Sequence, residues 1–279
     1  MKAGQFDYVR AESIASCAAV LEEADGDGKV LAGGQSLTPV LAMRLARPRI
    51  VVDINKIPGL GTIEPRDGSL RIGALVRHVE LLDQEHSPLL AEAARWIGHP
   101  AIRSRGTFGG SLAHADPSAE WPVVATALEA TLTVAGAQGQ RTLPAGDFFL
   151  GPLEPDLRTD ELLTSVEIPI PQAWGFAELS RRHGDFGMVI VACAQVAGRW
   201  RIAIGGVGPV PLRAVEAESI LDHSTNAGGV RTAAAAAAAA TSPGDDLHGS
   251  REYRVAMVEE FAFRAISDAL SRASTGSTQ

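Results

Sequence analysis

Two glycine pairs are the residues best placed to do chemistry in this 279-residue chain. The first lies in Ala32-Gly33-Gly34-Gln35-Ser36-Leu37, directly after a short apolar run. Adjacent glycines let the backbone turn sharply and approach a ligand, because no Cβ stands in the way. Successive N–H groups exposed in such a turn form an anion nest, and a following helix adds the positive end of its dipole. Ser36 adds a hydroxyl donor. This chemistry suits a pyrophosphate, although an ordinary strand-to-helix turn would use the same residues. The second pair lies in Thr107-Phe108-Gly109-Gly110-Ser111-Leu112-Ala113-His114-Ala115-Asp116-Pro117. Here Gly-Gly is again followed by serine, and a helix is expected to open at Pro117. Asp116 reads either as the N-cap of that helix or as a ligand contact. His114 reads either as a cofactor contact or as a surface or core histidine. Two such turns imply one elongated, phosphate-bearing ligand gripped from two sides.

Other signatures do not fit. No G-x-G-x-x-G follows the first strand, and Gly206-Val207-Gly208 runs into Pro209. Gly28-Lys29 is followed by Val30, so it is not a P-loop, and CxxC, HExxH and GxSxG are missing. Cys17 and Cys193 sit in apolar runs and are expected to be buried free thiols. Two thiolates are too few for an iron–sulfur cluster or a disulfide framework. A net charge of -8 without a Lys/Arg cluster argues against nucleic acid and anionic membranes as partners. Met1-Lys2-Ala3-Gly4-Gln5-Phe6-Asp7 lacks the apolar region of a signal peptide, and no apolar run reaches membrane-spanning length. A soluble, cytoplasmic protein without membrane insertion is expected.

The elements that must position the two turns follow from periodicity. Ser13 is expected to cap a helix over 14–24, with Ile14, Ala18 and Leu21 on one face. After a turn at Asp25-Gly26-Asp27-Gly28, strands over 29–32 and 50–53 flank a helix over 39–45, a small β-α-β unit. Residues 62–73 read as a hairpin around Asp67-Gly68. Helices are expected over 88–97 and 117–128, and strands over 131–135 and 161–168. Pro169, Pro171 and Gly175 mark a domain boundary. Strands over 176–179, 189–196 and 200–204 then precede two helical stretches. The second covers 252–270, with Val255, Val258, Phe261, Ala262 and Ala265 at amphipathic spacing. The alanine run 233–240 reads as helix, and the tail 275–279 as loose. Hydrophobic residues make up 46% of the chain, enough to build two cores at this length.

The ordered set of motifs resembles the FAD-binding medium subunit of carbon monoxide dehydrogenase and the FAD subunits or domains of xanthine dehydrogenase-type molybdenum hydroxylases. Both glycine motifs match. So do Phe148-Phe149-Leu150-Gly151-Pro152 with Asp160-Glu161-Leu162-Leu163, then Arg181-Arg182-His183-Gly184-Asp185-Phe186, then Gly205-Gly206-Val207 with Pro211-Leu212-Arg213-Ala214. The resemblance spans nearly the whole chain. It implies an α+β fold with a two-lobed FAD-binding domain of the vanillyl-alcohol oxidase (PCMH) type over 1–172, the lobes being 1–55 and 56–172. A C-terminal α+β domain typical of carbon monoxide dehydrogenase flavoproteins would cover 173–279. FAD would lie between the two lobes with its ring reaching toward the third part. Residues 32–36 and 107–111 would wrap its pyrophosphate, with Leu37, His114 and Asp116 alongside. Glu120 would reach the adenosine half, and Leu162 or Leu163 would pack on the cofactor. Arg182 and Asp185 would sit near the isoalloxazine; a structural ion pair or turn is the alternative. Gln35 stands where many relatives have histidine. Ala177 follows Phe176 where some members carry a lysine near the flavin, which bears on any handling of NAD.

The resemblance also implies a division of labour. A large partner subunit would hold the molybdenum cofactor and oxidise substrate, and a small partner would hold two [2Fe–2S] clusters. This chain would pass electrons through FAD to an external acceptor, so no catalytic acid, base, nucleophile or metal site of its own is expected. An apolar edge should dock the iron–sulfur partner. Two other readings stand beside this one: a self-sufficient FAD-dependent oxidoreductase of vanillyl-alcohol oxidase type, and a non-enzymatic scaffold that has lost FAD. The match in the C-terminal third argues against the former, and the intact glycine pairs against the latter.

Overall fold

Three parallel strands open the computed structural model, which describes residues 2–276. Asp7–Arg10 and Gly28–Leu31 flank Ile50–Asp53. Asp7–Arg10 is largely exposed and carries no apolar alternation, so periodicity gives no sign of it. The helix Ile14–Glu23 starts as expected at Ser13: Ser13 Oγ accepts from the Ser16 N–H, and Ser16 Oγ accepts from the Ser13 N–H. Cys17, Leu21, Val52 and Ile54 close a small core with Leu162. The helix foreseen over 39–45 spans Leu37–Ala42 instead. Thr38 N–H already bonds Gly34 O, Pro39 is tolerated in the first turn, and Arg44 at φ 59 breaks the helical path.

The second part is a five-stranded antiparallel sheet, in the order Ile63–Arg66, Ser69–Gly73, Leu162–Pro169, Thr131–Gly136 and Gly139–Pro144. Its middle strand returns from the far end of the lobe to lie between two hairpins. Pro88–Trp96 and Glu120–Ala127 contribute Leu89, Leu90, Trp121 and Val124 to its core. The helix expected from Pro117 begins at Glu120, with Ala119 at the N-cap. Asp116 Oδ1 accepts from Ser118 N–H at 2.9 Å, so its cap closes a turn ahead of the helix. A separate helix, Phe108–His114, runs through the second glycine pair, where a turn was expected.

The third part is a four-stranded antiparallel sheet: Ala173–Leu179, Val189–Val196, Arg199–Gly205 and Leu212–Arg213. Val215–His223, Ala227–Ala239 and Arg251–Gly276 back it. Val189, Val191 and Cys193 pack against these helices, while Ile190, Ala192 and Ala194 pack against the second part. Alternate residues of one strand thus serve two cores. Gly175 does not punctuate the chain but lies inside Ala173–Leu179, where a Cβ would collide with Ala265 O of the long helix. The alanine run is helical, with Ala233, Ala234 and Ala237 buried. The long helix reaches Gly276 through the segment expected to be loose, and 277–279 lie outside the described residues. Cys17 and Cys193 are buried free thiols in separate cores; burial pushes the Cys17 thiol up to about 11. Among the described residues, no helix is long and apolar enough to cross a membrane. The fold is α+β.

Candidate functional site

Beyond the carboxyl ends of parallel strands the chain must turn, and there it can surround a ligand. The loops after Gly28–Leu31 and Ile50–Asp53 enclose a cleft of about 670 Å³. Ala32, Gly33, Gly34 and Gln35 form one wall, Tyr8, Asp53 and Asn55 line it beside them, and Ile102 and Arg105 come from the second lobe.

The first glycine pair has two separate duties. A Cβ on Gly33 would collide with Arg105 O and come within 2.8 Å of the Gly106 Cα, so only glycine lets the two lobes meet here. Gly34 has φ 73, a left-handed conformation that glycine adopts readily. Gln35 Nε2 donates back to Gly33 O at 3.1 Å and holds the turn. The backbone N–H groups of Gly33, Gly34, Gln35 and Ser36 donate to no other backbone carbonyl among the described residues. Ser36 is exposed just before the helix and its hydroxyl makes no cap; Leu37 is the first helical residue. Four unspent donors at a strand end, followed by a helix, suit a diphosphate.

Asn55, which motif reading did not single out, braces this loop. Its Nδ2 donates to Ala32 O at 2.8 Å and to Asp53 Oδ1 at 2.7 Å, and its Oδ1 accepts from Arg77 Nη2 at 2.6 Å. Burial alone would push the Asp53 carboxyl up. The Tyr8 hydroxyl, Asn55 and the Arg10 charge outweigh it and hold Asp53 below its ordinary value. Asp53 and Asn55 were findable by asking which residues sit at or just past parallel strand ends, whereas Tyr8 lies inside a strand that periodicity does not show.

The second glycine motif works differently. Thr107 is buried, and its Oγ1 accepts from Gly110 N–H at 3.1 Å as the N-cap of Phe108–His114. Gly109 N–H bonds Ala74 O and Ser111 N–H bonds Thr107 O, both at 3.0 Å. These donors are spent inside the chain, so the motif is a packed helix rather than a second nest. Gly109 is pressed against Ala74, and Gly110 lies against Ala32 of the first motif. Ser111, His114 and Asp116 are half-buried along the same segment.

Glu120 is buried at the start of its helix, and burial followed by the nearby Asp116 charge pushes its carboxyl up. Glu178, from Ala173–Leu179, is buried beside it, and neither of its carboxylate oxygens has a hydrogen-bond partner. Burial and then the Glu120 charge push Glu178 up as well. Leu162 faces the first core and Leu163 the second, so the pair straddles the two lobes. Arg182 and Asp185 are exposed; Asp185 N–H bonds Arg182 O at 3.0 Å in a turn. That turn docks on the second lobe, with His183 edge-on to Trp96 at 5.4 Å and Gly184 against His99. Among the described residues, no group of three or more His, Cys, Asp or Glu is placed to hold a metal.

Comparison with known proteins fits this geometry. Residues 4–171 match the family described as the FAD binding domain in molybdopterin dehydrogenase, and residues 174–269 match the CO dehydrogenase flavoprotein C-terminal domain. The chain is 41% identical over 287 residues to subunit alpha of the 6-hydroxypseudooxynicotine dehydrogenase complex of Paenarthrobacter nicotinovorans, covering 98% of this chain and 97% of that one. Quinoline 2-oxidoreductase from Pseudomonas putida 86 superposes with a TM-score of 0.91 at 36% identity, covering 98% of this chain and 99% of its own. A carbon monoxide dehydrogenase from Hydrogenophaga pseudoflava does so with 0.92 at 35%, at the same coverage. The chain therefore belongs to the FAD-binding medium subunits of the molybdenum hydroxylase family and is an oxidoreductase subunit.

Proposed function

We propose that this chain relays electrons within a heteromeric molybdenum hydroxylase, from [2Fe–2S] clusters of a small partner subunit through FAD to an external acceptor. A large partner would hold the molybdenum cofactor and oxidise the substrate. The single observation that carries the reading is the set of unspent N–H donors at 33–36, cradled at parallel strand ends against the second lobe. FAD supplies one- and two-electron chemistry, while the chain binds and orients it and shields it from water.

Gly33, Gly34, Gln35 and Ser36 would hold the diphosphate, with Ala32 and Leu37 shaping the loop. Thr107, Gly109 and Gly110 would press the second lobe against it, and the Ser111 hydroxyl would add a donor. His114, Asp116 and Glu120 would lie along the cofactor, and Leu162 or Leu163 would pack on it. Arg182 and Asp185 would face its ring from the third part. The two domains would divide near 172, between the end of one sheet at Pro169 and the start of the next at Ala173. The two free thiols, buried in separate cores, support both a cytoplasmic setting and the placement of the iron–sulfur clusters on a partner.

The test is an absorbance spectrum of the chain purified after co-expression with its genomic neighbours. Flavin bands together with iron–sulfur absorption in one stable complex are expected. A lone yellow chain that oxidises an organic substrate would establish the self-sufficient oxidase instead, and a colourless chain would establish the scaffold.

A further inference from the structure

A second cavity, of about 390 Å³, shares Asp53, Asn55 and Arg105 with the glycine cleft but touches none of residues 32–36. Arg10, Lys56 and Arg77 complete its charged lining, with Ser104 at its side. In a chain of net charge -8, four cations around one carboxylate are a local inversion. That carboxylate is already committed: Asp53 bonds the Tyr8 hydroxyl and Asn55, and Arg10 approaches it at 3.8 Å. Arg77 is pinned by Asn55 Oδ1 and Arg105 O. Burial and then the Arg105 charge push its guanidinium below its ordinary value. Lys56 and Arg105 are exposed, and the described ion pairs include none for either.

Like charges gathered around a concave wall focus a positive potential and raise the local concentration of anions. Guanidinium forks and a hydroxyl match the oxygens of a phosphate group. We propose that this cavity binds the phosphate or diphosphate group of a small molecule other than FAD, beside the FAD cleft. The proposal rests on the reading of the neighbouring cleft as the FAD site. It leaves the diphosphate of FAD to the backbone donors of residues 33–36, which this cavity lacks.

The test is a calorimetric titration of the full chain with inorganic pyrophosphate, once saturated with FAD and once stripped of it. The double variant Arg10→Gln, Lys56→Gln is titrated in parallel; both residues line this cavity and not the glycine cleft, and both are exposed. The FAD-saturated wild type should bind pyrophosphate, the double variant about tenfold more weakly, with FAD content unchanged. Added salt should weaken the binding. Binding seen only in the stripped chain would overturn the proposal by assigning the cations to FAD itself. Equal binding by the double variant would overturn it by placing the anion elsewhere, and no binding would overturn it outright. Failure of the FAD reading shows separately, as a wild-type chain without flavin bands. Weaker binding of the stripped variant than of the stripped wild type would then still uphold the anion site.

Discussion

Trp121 Nε1 donates a 3.0 Å hydrogen bond to Nδ1 of His78, in the interior directly behind the second glycine motif. His78 is 4% exposed, and its ring lies against Gly106. The bond makes Nδ1 the acceptor, so the proton of the neutral ring sits on Nε2. Burial, then the charges of Arg77 and Arg103, push His78 down from 6.5 to about 4. A histidine pushed down lends stability that is present above 6.5 and lost as pH falls toward 4. NMR of the ring should show a neutral Nε2–H tautomer at pH 6, and protonation there would refute the assignment. Trp121→Phe should cost about 1–3 kcal/mol in urea unfolding, because it leaves a buried acceptor unpaired.

Glu120 and Glu178 make the opposite kind of pair, two buried carboxyls brought together from different domains without a cation between them. Their raised values mean that the folded chain binds protons the unfolded chain releases. Stability from this pair is therefore fully present below the ordinary value of 4.5 and declines as pH rises above it. Glu178→Gln removes one of the two charges while keeping the shape. The variant should lose less stability than wild type between pH 6 and pH 9 in parallel urea melts. An identical pH dependence would show that the Glu178 carboxyl is not raised in the folded chain.

Gly33→Ala tests the meeting of the lobes. The added methyl meets the backbone at Arg105 and Gly106, which cannot swing aside as a side chain could. FAD affinity, followed by flavin fluorescence quenching, should fall about tenfold or more while far-UV circular dichroism stays that of the wild type. Undiminished affinity would show that the first motif does not shape the FAD site.

Asn55→Asp removes the amide donor to Ala32 O and sets a carboxylate against Asp53. The glycine loop loses its brace, and a new negative charge lines the cleft meant for a diphosphate. FAD affinity should fall further than in Asn55→Ala, and added salt should narrow the gap between the two variants. Equal loss in both would reduce Asn55 to a packing role.

What the sequence by itself determined was local. The Ser13 cap, the Gly33–Gly34 turn at a strand end, the helical alanine run and the apolar strand 189–196 each depend on residues a few positions apart, and the local pattern reports them. Even the two glycine motifs look alike at that range, because both are Gly-Gly followed by serine. Only the tertiary structure separated them. Ala74 O, from the turn after Ser69–Gly73, takes the Gly109 N–H, and Thr107 Oγ1 takes that of Gly110, whereas among the described residues the donors at 33–36 meet no backbone carbonyl. Asn55, Glu178, Arg10 and Arg77 were silent in the sequence for the same reason. Each gains its meaning from a partner more than twenty residues away, and no local pattern records which distant residue will fold against it.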